Sequence, residues 1–246
     1  MSRYARVLER INAAAPQASA AGTGNQAEGS AQTSASALLP RGSAWRQEME
    51  RLRGAVVLAN QLHGVQAILI CGARDNDGAT SVAVNLALAL AEMDRTPVAL
   101  ADVSQSQPGV AALLMGALPG RHLKEVLPNG SSLSVQQTRI QNLYLVAANE
   151  SGASLVTLLQ PMDLVRRLRE RFKYVILNAP PVIAHPDTGL LATKADGVML
   201  VAQAGKSRLD QLEAAKTEFE RVGANILGVV LSQCKEYLPR MLADRI

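Results

Sequence analysis

Short, almost purely apolar runs alternate with helical patterns through most of this 246-residue chain, and this alternation constrains the fold more than any other feature. Strands that lack polar alternation are typical of a sheet covered by helices on both faces. The order of runs and helical patterns therefore predicts an α/β fold with a doubly wound, mostly parallel sheet. The predicted strands are Gln66–Cys71, Pro97–Asp102, Leu143–Ala147, Tyr174–Leu177, Gly197–Ala202 and Ile226–Leu231.

Helical periodicity fills the intervals between these strands, and one more helix precedes them, from Trp45 to near Gly64. Ligands of doubly wound sheets bind at the carboxyl ends of the strands, so we expect the functional residues in the loops that follow the strands. The remaining predicted helices are Thr80–Met93, Gly109–Met115, Ser154–Arg171, Thr188–Thr193 and Leu209–Val222.

The beginning of the chain differs in composition from the rest. Residues 1–12 place apolar side chains on one helical face, which predicts a short amphipathic segment that docks on a partner or membrane, with a frayed terminus as the alternative. Residues 13–44 are rich in Ala, Ser, Gly, Gln and Thr and predict a flexible linker. Residues 45–246 are predicted to form one domain.

Composition excludes several classes of protein. Apolar residues make up 48% of the chain and support a real core, whereas aromatic residues make up only 3% and argue against a base-stacking surface. A net charge of +4 is too small for a dedicated nucleic-acid binder. Because no apolar run matches a membrane-spanning helix or a signal peptide, we expect a cytoplasmic location. Cys71 and Cys234 are expected to be small buried thiols.

The loop after the first predicted strand has the spacing of a degenerate phosphate-binding loop, GARDNDGATS. In a working loop, backbone N–H groups wrap the phosphates, a lysine follows the last glycine, and a hydroxyl binds magnesium. Gly78 and Thr80 occupy the positions of the last glycine and the hydroxyl, and Ser81 follows them. Ala79 stands in the lysine position and Ala73 in that of the first glycine.

Further segments strengthen this interpretation, namely TSVAVNLALALAEMDRTPVALAD, VALADVSQSQP, YVILNAPPVIAHPD and the run from ADGVMLVAQ to ILGVVLSQ. Together with the loop they resemble the Min/Par branch of P-loop ATPases. Within that branch they resemble the bacterial tyrosine kinases, or BY-kinases, that act in exopolysaccharide and capsule assembly. The resemblance extends from about Trp45 to Gln233 and implies a P-loop NTPase-like fold.

The resemblance implies a role for individual positions. Asp102 matches an aspartate that supports catalysis and magnesium in the family, and Asp187 matches a later aspartate, so these two are the residual catalytic candidates. Asn178 stands where the family has the aspartate that holds the magnesium's water shell, and Ser104 replaces another aspartate. Arg74 stands at the branch's extra signature lysine. The cofactor-binding candidates are Arg74, Gly78, Thr80 and Ser81, and the metal candidates are Thr80 and Asp102.

These substitutions predict a chain that does not turn over ATP. Without the lysine, the charge of a triphosphate is less compensated, and without two carboxylates magnesium binding is weaker. Phosphoryl transfer depends on positioning and charge stabilisation, so such losses lower the rate by orders of magnitude. We therefore expect no resident cofactor, with ATP and magnesium bound weakly or not at all. Asp75 and Asp77 flank Arg74 either as its ion-pair partners or as solvated loop residues.

Two other parts of the kinase pattern are altered. The related kinases assemble rings through a Glu-x-x-Arg-x-x-Arg helix, which matches Gln47, Glu50 and Arg53 here. The reversed charge at Glu50 raises the alternative of a hetero-complex with an active relative. The kinases also end in a tyrosine cluster that they phosphorylate, whereas the matching segment here, CKEYLPRMLADRI, has the single Tyr237.

Three functions follow as alternatives. The first is a regulatory or scaffold component of exopolysaccharide or capsule biosynthesis and export. Its partner would be the cytoplasmic part of a membrane chain-length or export protein, or an active kinase relative, and its membrane association would be through that partner. The second is an active or weakly active tyrosine kinase or ATPase that uses Arg74, Thr80 and Asp102. The third is a Min/Par-type partitioning or placement ATPase.

Overall fold

The computed structural model describes residues 44–104, 110, 114, 122–126, 132–148 and 164–233. The predicted amphipathic segment at residues 1–12 and nearly all of the predicted linker lie outside the described residues. So do most of the predicted helix Gly109–Met115, the first ten residues of Ser154–Arg171, and the residues Cys234 and Tyr237.

The described elements form a single eight-stranded sheet with helices on both faces. The strand order is β3-β4-β5-β2-β6-β1-β7-β8. All neighbours from β5 to β8 are parallel, and β3–β4 and β4–β5 are antiparallel. The strands are β1 Ala67–Gly72, β2 Val98–Asp102, β3 His122–Val126, β4 Ser132–Gln137, β5 Leu143–Ala148, β6 Tyr174–Ala179, β7 Gly197–Gln203 and β8 Ile226–Ser232. The helices are α1 Ala44–His63, α2 Ala79–Ala91, α3 Leu164–Arg171, α4 Asp187–Ala192 and α5 Leu209–Arg221.

The doubly wound, mostly parallel sheet is confirmed, and each of the six predicted strands is present within two residues of its predicted bounds. Strands β3 and β4 were not predicted from the sequence. Neither strand is a continuous apolar run, and β4 alternates apolar and polar residues. Both strands lie at the antiparallel edge of the sheet. Such strands carry a weaker signal than the buried central ones.

Two apolar cores lie on opposite faces of the sheet, and β1 contributes to both. Its residues Ile68 and Ile70 face α1 and α2, whereas Leu69 and Cys71 face the side of α3, α4 and α5. Every residue of β1 is buried, as expected for the central strand of a sheet covered twice. In α2, every residue from Val82 to Ala91 is buried, so this helix fits tightly against the sheet.

The parallel strands direct their carboxyl ends, and the loops that follow them, to the same edge of the sheet. The loop at residues 73–78 follows β1, residues 103–104 follow β2, residues 180–186 follow β6, and residues 204–208 follow β7. Since β1, β2, β6 and β7 are close neighbours in the sheet, these loops converge on one place. None of the described helices is long and apolar enough to cross a membrane.

Candidate functional site

The loop after β1 requires glycine at two positions. A Cβ atom on Gly72 would collide with the carbonyl oxygen of Arg74. Gly78, which precedes the first turn of α2, has a φ of 89° and would place a Cβ atom 3.2 Å from the hydroxyl oxygen of Ser232. Asn76 also has a positive φ, of 65°, a conformation that asparagine tolerates better than most residues. The loop is therefore tightly wound.

The centre of this loop is occupied by the side chain of Asp77, which is 1% exposed. Its Oδ2 accepts the backbone N–H of Arg74 at 2.9 Å, and its Oδ1 accepts the hydroxyl of Ser207, after β7, at 2.7 Å. The hydroxyl of Ser232 donates to the carbonyl oxygen of Asp77 at 2.6 Å. The loop thus folds around its own carboxylate and is fastened to two neighbouring strands.

The two carboxylates near Arg74 have different surroundings. The guanidinium Nε of Arg74 lies 3.9 Å from Oδ1 of Asp77, so the predicted ion pair forms with that carboxylate. Asp75 is exposed, as the solvated alternative predicts. The side chain of Arg74 is 40% exposed and remains at the mouth of the loop. Ala79 is the first residue of α2 and brings no charge to the lysine position.

A second polar cluster joins α2 to the ends of β2 and β6. The side-chain nitrogen of Asn178 lies 3.2 Å from Thr80 Oγ1, 2.8 Å from Asp102 Oδ1 and 2.8 Å from Ser104 Oγ. Asp102 is further engaged, since its Oδ2 accepts the N–H of Val110 at 2.8 Å. The Oδ1 atom of Asn178 is buried and has no hydrogen-bond partner among the described residues.

Strand register explains why residues so distant in the sequence meet here. Asp102 and Asn178 are direct partners in the parallel pair of β2 and β6. The carbonyl oxygen of Asn178 accepts the N–H groups of Val103 and Ser104, at 2.8 Å and 2.9 Å. Thr80 lies in the first turn of α2, directly after the loop of β1, the strand on the other side of β6.

The remaining predicted site residues have mainly structural contacts. Asp187 is exposed at the start of α4 and makes none of the described hydrogen bonds that join the cluster. The Pro-Pro turn is fixed by the hydroxyl of Thr188, which donates to the carbonyl oxygen of Pro180 at 3.0 Å. Ser81 follows Thr80 in α2, and its carbonyl oxygen accepts the side-chain amide of Asn85 at 2.7 Å.

The contribution of Asp77, Ser207 and Ser232 was not anticipated from the sequence. The one available signal was an acidic residue directly before the last glycine of a phosphate-type loop. Cys71, at the end of β1, is fully buried, and this burial raises the pKa of its thiol to about 12, which leaves it protonated and unreactive. Among the described residues, no group of three or more His, Cys, Asp or Glu is placed to hold a metal ion.

No family model matches the chain. Among known proteins, the tyrosine-protein kinase CpsD of Streptococcus agalactiae is 26% identical to it over 175 residues, which cover 69% of this chain and 76% of that protein.

Solved structures agree with this relationship at the level of the fold. The kinase domain of the Escherichia coli tyrosine kinase ETK matches with a TM-score of 0.69 and 18% identity, covering 97% of this chain and 92% of that domain. The septum site-determining protein MinD of Pyrococcus horikoshii matches with a TM-score of 0.56 and 19% identity, covering 73% and 76%. In sequence the chain is similar to bacterial tyrosine-protein kinases, and in fold it is similar to a tyrosine kinase domain and to a MinD protein.

Proposed function

We propose that this chain is a catalytically impaired relative of the bacterial tyrosine kinases that serves as a regulatory or scaffold component of exopolysaccharide or capsule biosynthesis and export. The similarity to tyrosine-protein kinases such as CpsD supports the pathway. One observation carries the proposed impairment: the amide of Asn178 donates to Thr80 and Asp102, the two residues that the resemblance assigns to magnesium.

The atoms that this cluster offers as metal ligands do not fit a magnesium ion. Magnesium takes oxygen ligands in a near-ideal octahedron, usually with carboxylates and substrate phosphates. Here an N–H donor of Asn178 already points at Asp102 Oδ1, while Oδ2 of the same carboxylate accepts the N–H of Val110. A cation at this place would have to displace both of these hydrogen bonds, and the one buried oxygen without a described partner, Oδ1 of Asn178, belongs to a neutral amide.

The loop after β1 also does not fit a phosphate. Backbone N–H groups in tight loops form concave anion sites, and in this loop the N–H of Arg74 is bound to the carboxylate of Asp77. A phosphate oxygen about 4 Å from that carboxylate would meet a repulsion of about 4 kcal/mol at an effective dielectric constant near 20. Ala79 brings no positive charge to offset it. The carboxylate of Asp77 would therefore oppose a nucleotide phosphate in this loop.

A scaffold needs a partner, and the proposed partner is the cytoplasmic part of a membrane chain-length or export protein, or an active kinase relative. The proposed location is cytoplasmic and peripheral to the membrane. On α1, the guanidinium of Arg53 donates to the carbonyl oxygen of Ala89 at 3.3 Å, so this arginine is engaged within the domain. Glu50 pairs with Arg46 at 3.3 Å, but its side chain is 46% exposed, so an arginine of an active relative could reach it.

Calorimetry of the full chain with Mg-ATP and Mg-ADP tests this proposal, alongside a steady-state ATPase assay. We expect no saturable binding at millimolar nucleotide and no turnover. The informative variant combines Ala79→Lys, Asn178→Asp and Asp77→Gly, which returns a cation and a carboxylate and removes the internal anion; we expect it to gain magnesium-dependent nucleotide binding. Saturable binding to the unaltered chain, with turnover lost on Asp102→Ala, would instead support the alternative of an active kinase or ATPase.

A further inference from the structure

The edge of the sheet opposite the candidate site carries a row of exposed cations. Each of them lies in a connection that enters a parallel strand, before β2, β5, β6 or β7. We call this group the basic edge, and it consists of Arg95, Arg139, Lys173 and Lys194. All four are exposed.

Backbone hydrogen bonds hold these connections side by side. The N–H of Val98, at the start of β2, donates to the carbonyl oxygen of Asn142, in the turn that contains Arg139, at 2.8 Å. The N–H of Lys173 donates to the carbonyl oxygen of Pro97, two residues after Arg95, at 2.8 Å. Since neighbouring strands are about 4.8 Å apart and β5 and β7 are four strand positions apart, the row is about 20 Å wide.

Little negative charge opposes the basic edge. Within the described part of the chain, none of its four members forms an ion pair. The carboxylate of Asp196 accepts the N–H groups of Gln66 and Ala67 and pairs with Arg169, and Glu92 pairs with Arg46. In the described connections that enter the parallel strands, Asp94 is the one exposed carboxylate without such a bond.

Two further features accompany these charges. Arg95 has a φ of 53°, a left-handed conformation that is strained for a residue with a Cβ atom, so the turn holds its arginine at a cost in backbone strain. Leu62 is 65% exposed in the last turn of α1, which enters β1 at this same edge through Gly64. An exposed leucine therefore lies at the edge that carries the cations.

We propose that the basic edge docks the domain directly on an anionic lipid surface. A bilayer is planar, carries negative headgroups and is apolar beneath them, so it complements a row of cations together with an exposed leucine. An acidic polypeptide would match the cations but not Leu62. This inference goes beyond the proposed scaffold role, in which a partner supplies the membrane contact, and it does not depend on that role. Docked in this way, the candidate site on the opposite edge faces away from the lipid and stays open to a partner.

Co-sedimentation of the full chain with vesicles tests the proposal. Phosphatidylcholine vesicles with and without phosphatidylglycerol are compared at low and moderate salt. We expect binding that needs phosphatidylglycerol and weakens with salt. Replacing all four members of the basic edge by glutamine should lower the partition coefficient by about fivefold for each cation, since each contributes about 1 kcal/mol near an anionic surface.

The matched control removes four exposed cations away from this edge: Arg51→Gln, Arg166→Gln, Arg208→Gln and Lys216→Gln. It changes the net charge equally, so a specific edge predicts near-normal binding for the control. If both variants lost vesicle binding equally, the binding would depend only on net charge, and the proposal would be wrong. Circular dichroism confirms that each variant is folded.

Two further experiments test whether vesicle binding has another cause. A variant with Arg3, Arg6 and Arg10 replaced by glutamine tests the predicted amphipathic segment, and loss of vesicle binding there, with the basic-edge variant unaffected, overturns the proposal. Soluble polyglutamate tests an acidic polypeptide as the ligand. If it binds through the basic edge while phosphatidylglycerol vesicles do not, the surface recognises protein rather than lipid, and the proposal is wrong.

Discussion

Two buried side chains determine the chemistry of the candidate site. Asp77 supplies an anion inside the loop after β1, and Asn178 supplies an N–H donor to Asp102, at the positions where the proposed function compares the site with a nucleotide and metal site. Both are close to fully buried, so their hydrogen bonds form in a medium where an unpaired polar group is costly. The carboxylate of Asp77 and the side-chain nitrogen of Asn178 are both hydrogen-bonded within the protein, whereas Oδ1 of Asn178 has no partner among the described residues.

Asn178→Asp tests the balance of charge in the polar cluster. The new carboxylate would lie about 2.8 Å from Asp102 Oδ1, where the amide nitrogen now lies. Two adjacent carboxylates, one buried and one partly buried, repel, and one of them must have its pKa raised. We expect the free energy of unfolding at neutral pH to fall by about 3 kcal/mol, as for a buried unpaired charge. Urea denaturation measures this loss.

Because the raised pKa favours the protonated folded state, the loss in the Asn178→Asp protein should shrink as the pH falls towards the ordinary pKa of aspartate. Asp102→Asn in the same protein leaves a single carboxylate and should restore most of the stability. A protein as stable as the original across this pH range would contradict the described cluster.

Asp77→Ala tests the internal anion. It removes the acceptor of the Arg74 N–H and of the Ser207 hydroxyl, and a buried donor without a partner costs about 1 to 3 kcal/mol. We expect a corresponding decrease in the free energy of unfolding by urea. Asp75→Ala is the matched control, since Asp75 is exposed in the same loop and should change stability little. Equal effects of the two changes would show that Asp77 is not buried as described.

At the scale of elements, the loop and the first turn of α2 depend on the backbone of Gly78. This residue precedes α2 with a left-handed conformation, and the neighbouring Ser232, at the end of β8, leaves little space beside it. The predicted helix Thr80–Met93 is present as Ala79–Ala91, so its position was evident from the sequence. Its fastening to β8 was not evident, because it depends on a strand that is more than a hundred residues away.

Gly78→Ala should lower the free energy of unfolding by about 1 to 2 kcal/mol through its positive φ, with a further loss from the contact with Ser232. Gly54→Ala is the matched control: Gly54 lies exposed within α1 with nothing within 4 Å of the added Cβ atom. That change should raise stability by about 0.5 to 1 kcal/mol. Thermal unfolding of both variants gives the comparison, and the same sign for both would contradict this account.

At the scale of the whole molecule, the thiol of Cys71 in the central strand β1 can be used to follow global unfolding. Cys71 has no exposed surface and lies in the core between the sheet and the helices. In a Cys234→Ser background, we expect its thiol to resist a thiol reagent until the domain unfolds. The rate of labelling should therefore follow the unfolding transition in urea. Fast labelling under native conditions would mean that the sheet opens locally at β1.

The same thiol predicts a dependence of stability on alkaline pH. Its pKa is raised from 9.0 to about 12 because burial disfavours the thiolate. The unfolded chain therefore loses its proton first, and the stability due to the neutral thiol is present below pH 9 and falls as the pH rises towards 12. Cys71→Ala should reduce this alkaline loss of stability, as measured by urea denaturation at several pH values.

The sequence by itself determined the parallel sheet and the place of the candidate site, because continuous apolar runs and helical periodicity are local patterns and the loops after parallel strands share one edge. It also singled out Ala79 and Asn178 as departures from the pattern of the kinases that it resembles. Only the tertiary structure decided that Asp77 turns inward, that Asn178 bonds Thr80 and Asp102, and that four cations form one row. Each of these depends on strand order and register, which bring together residues whose spacing along the chain carries no signal.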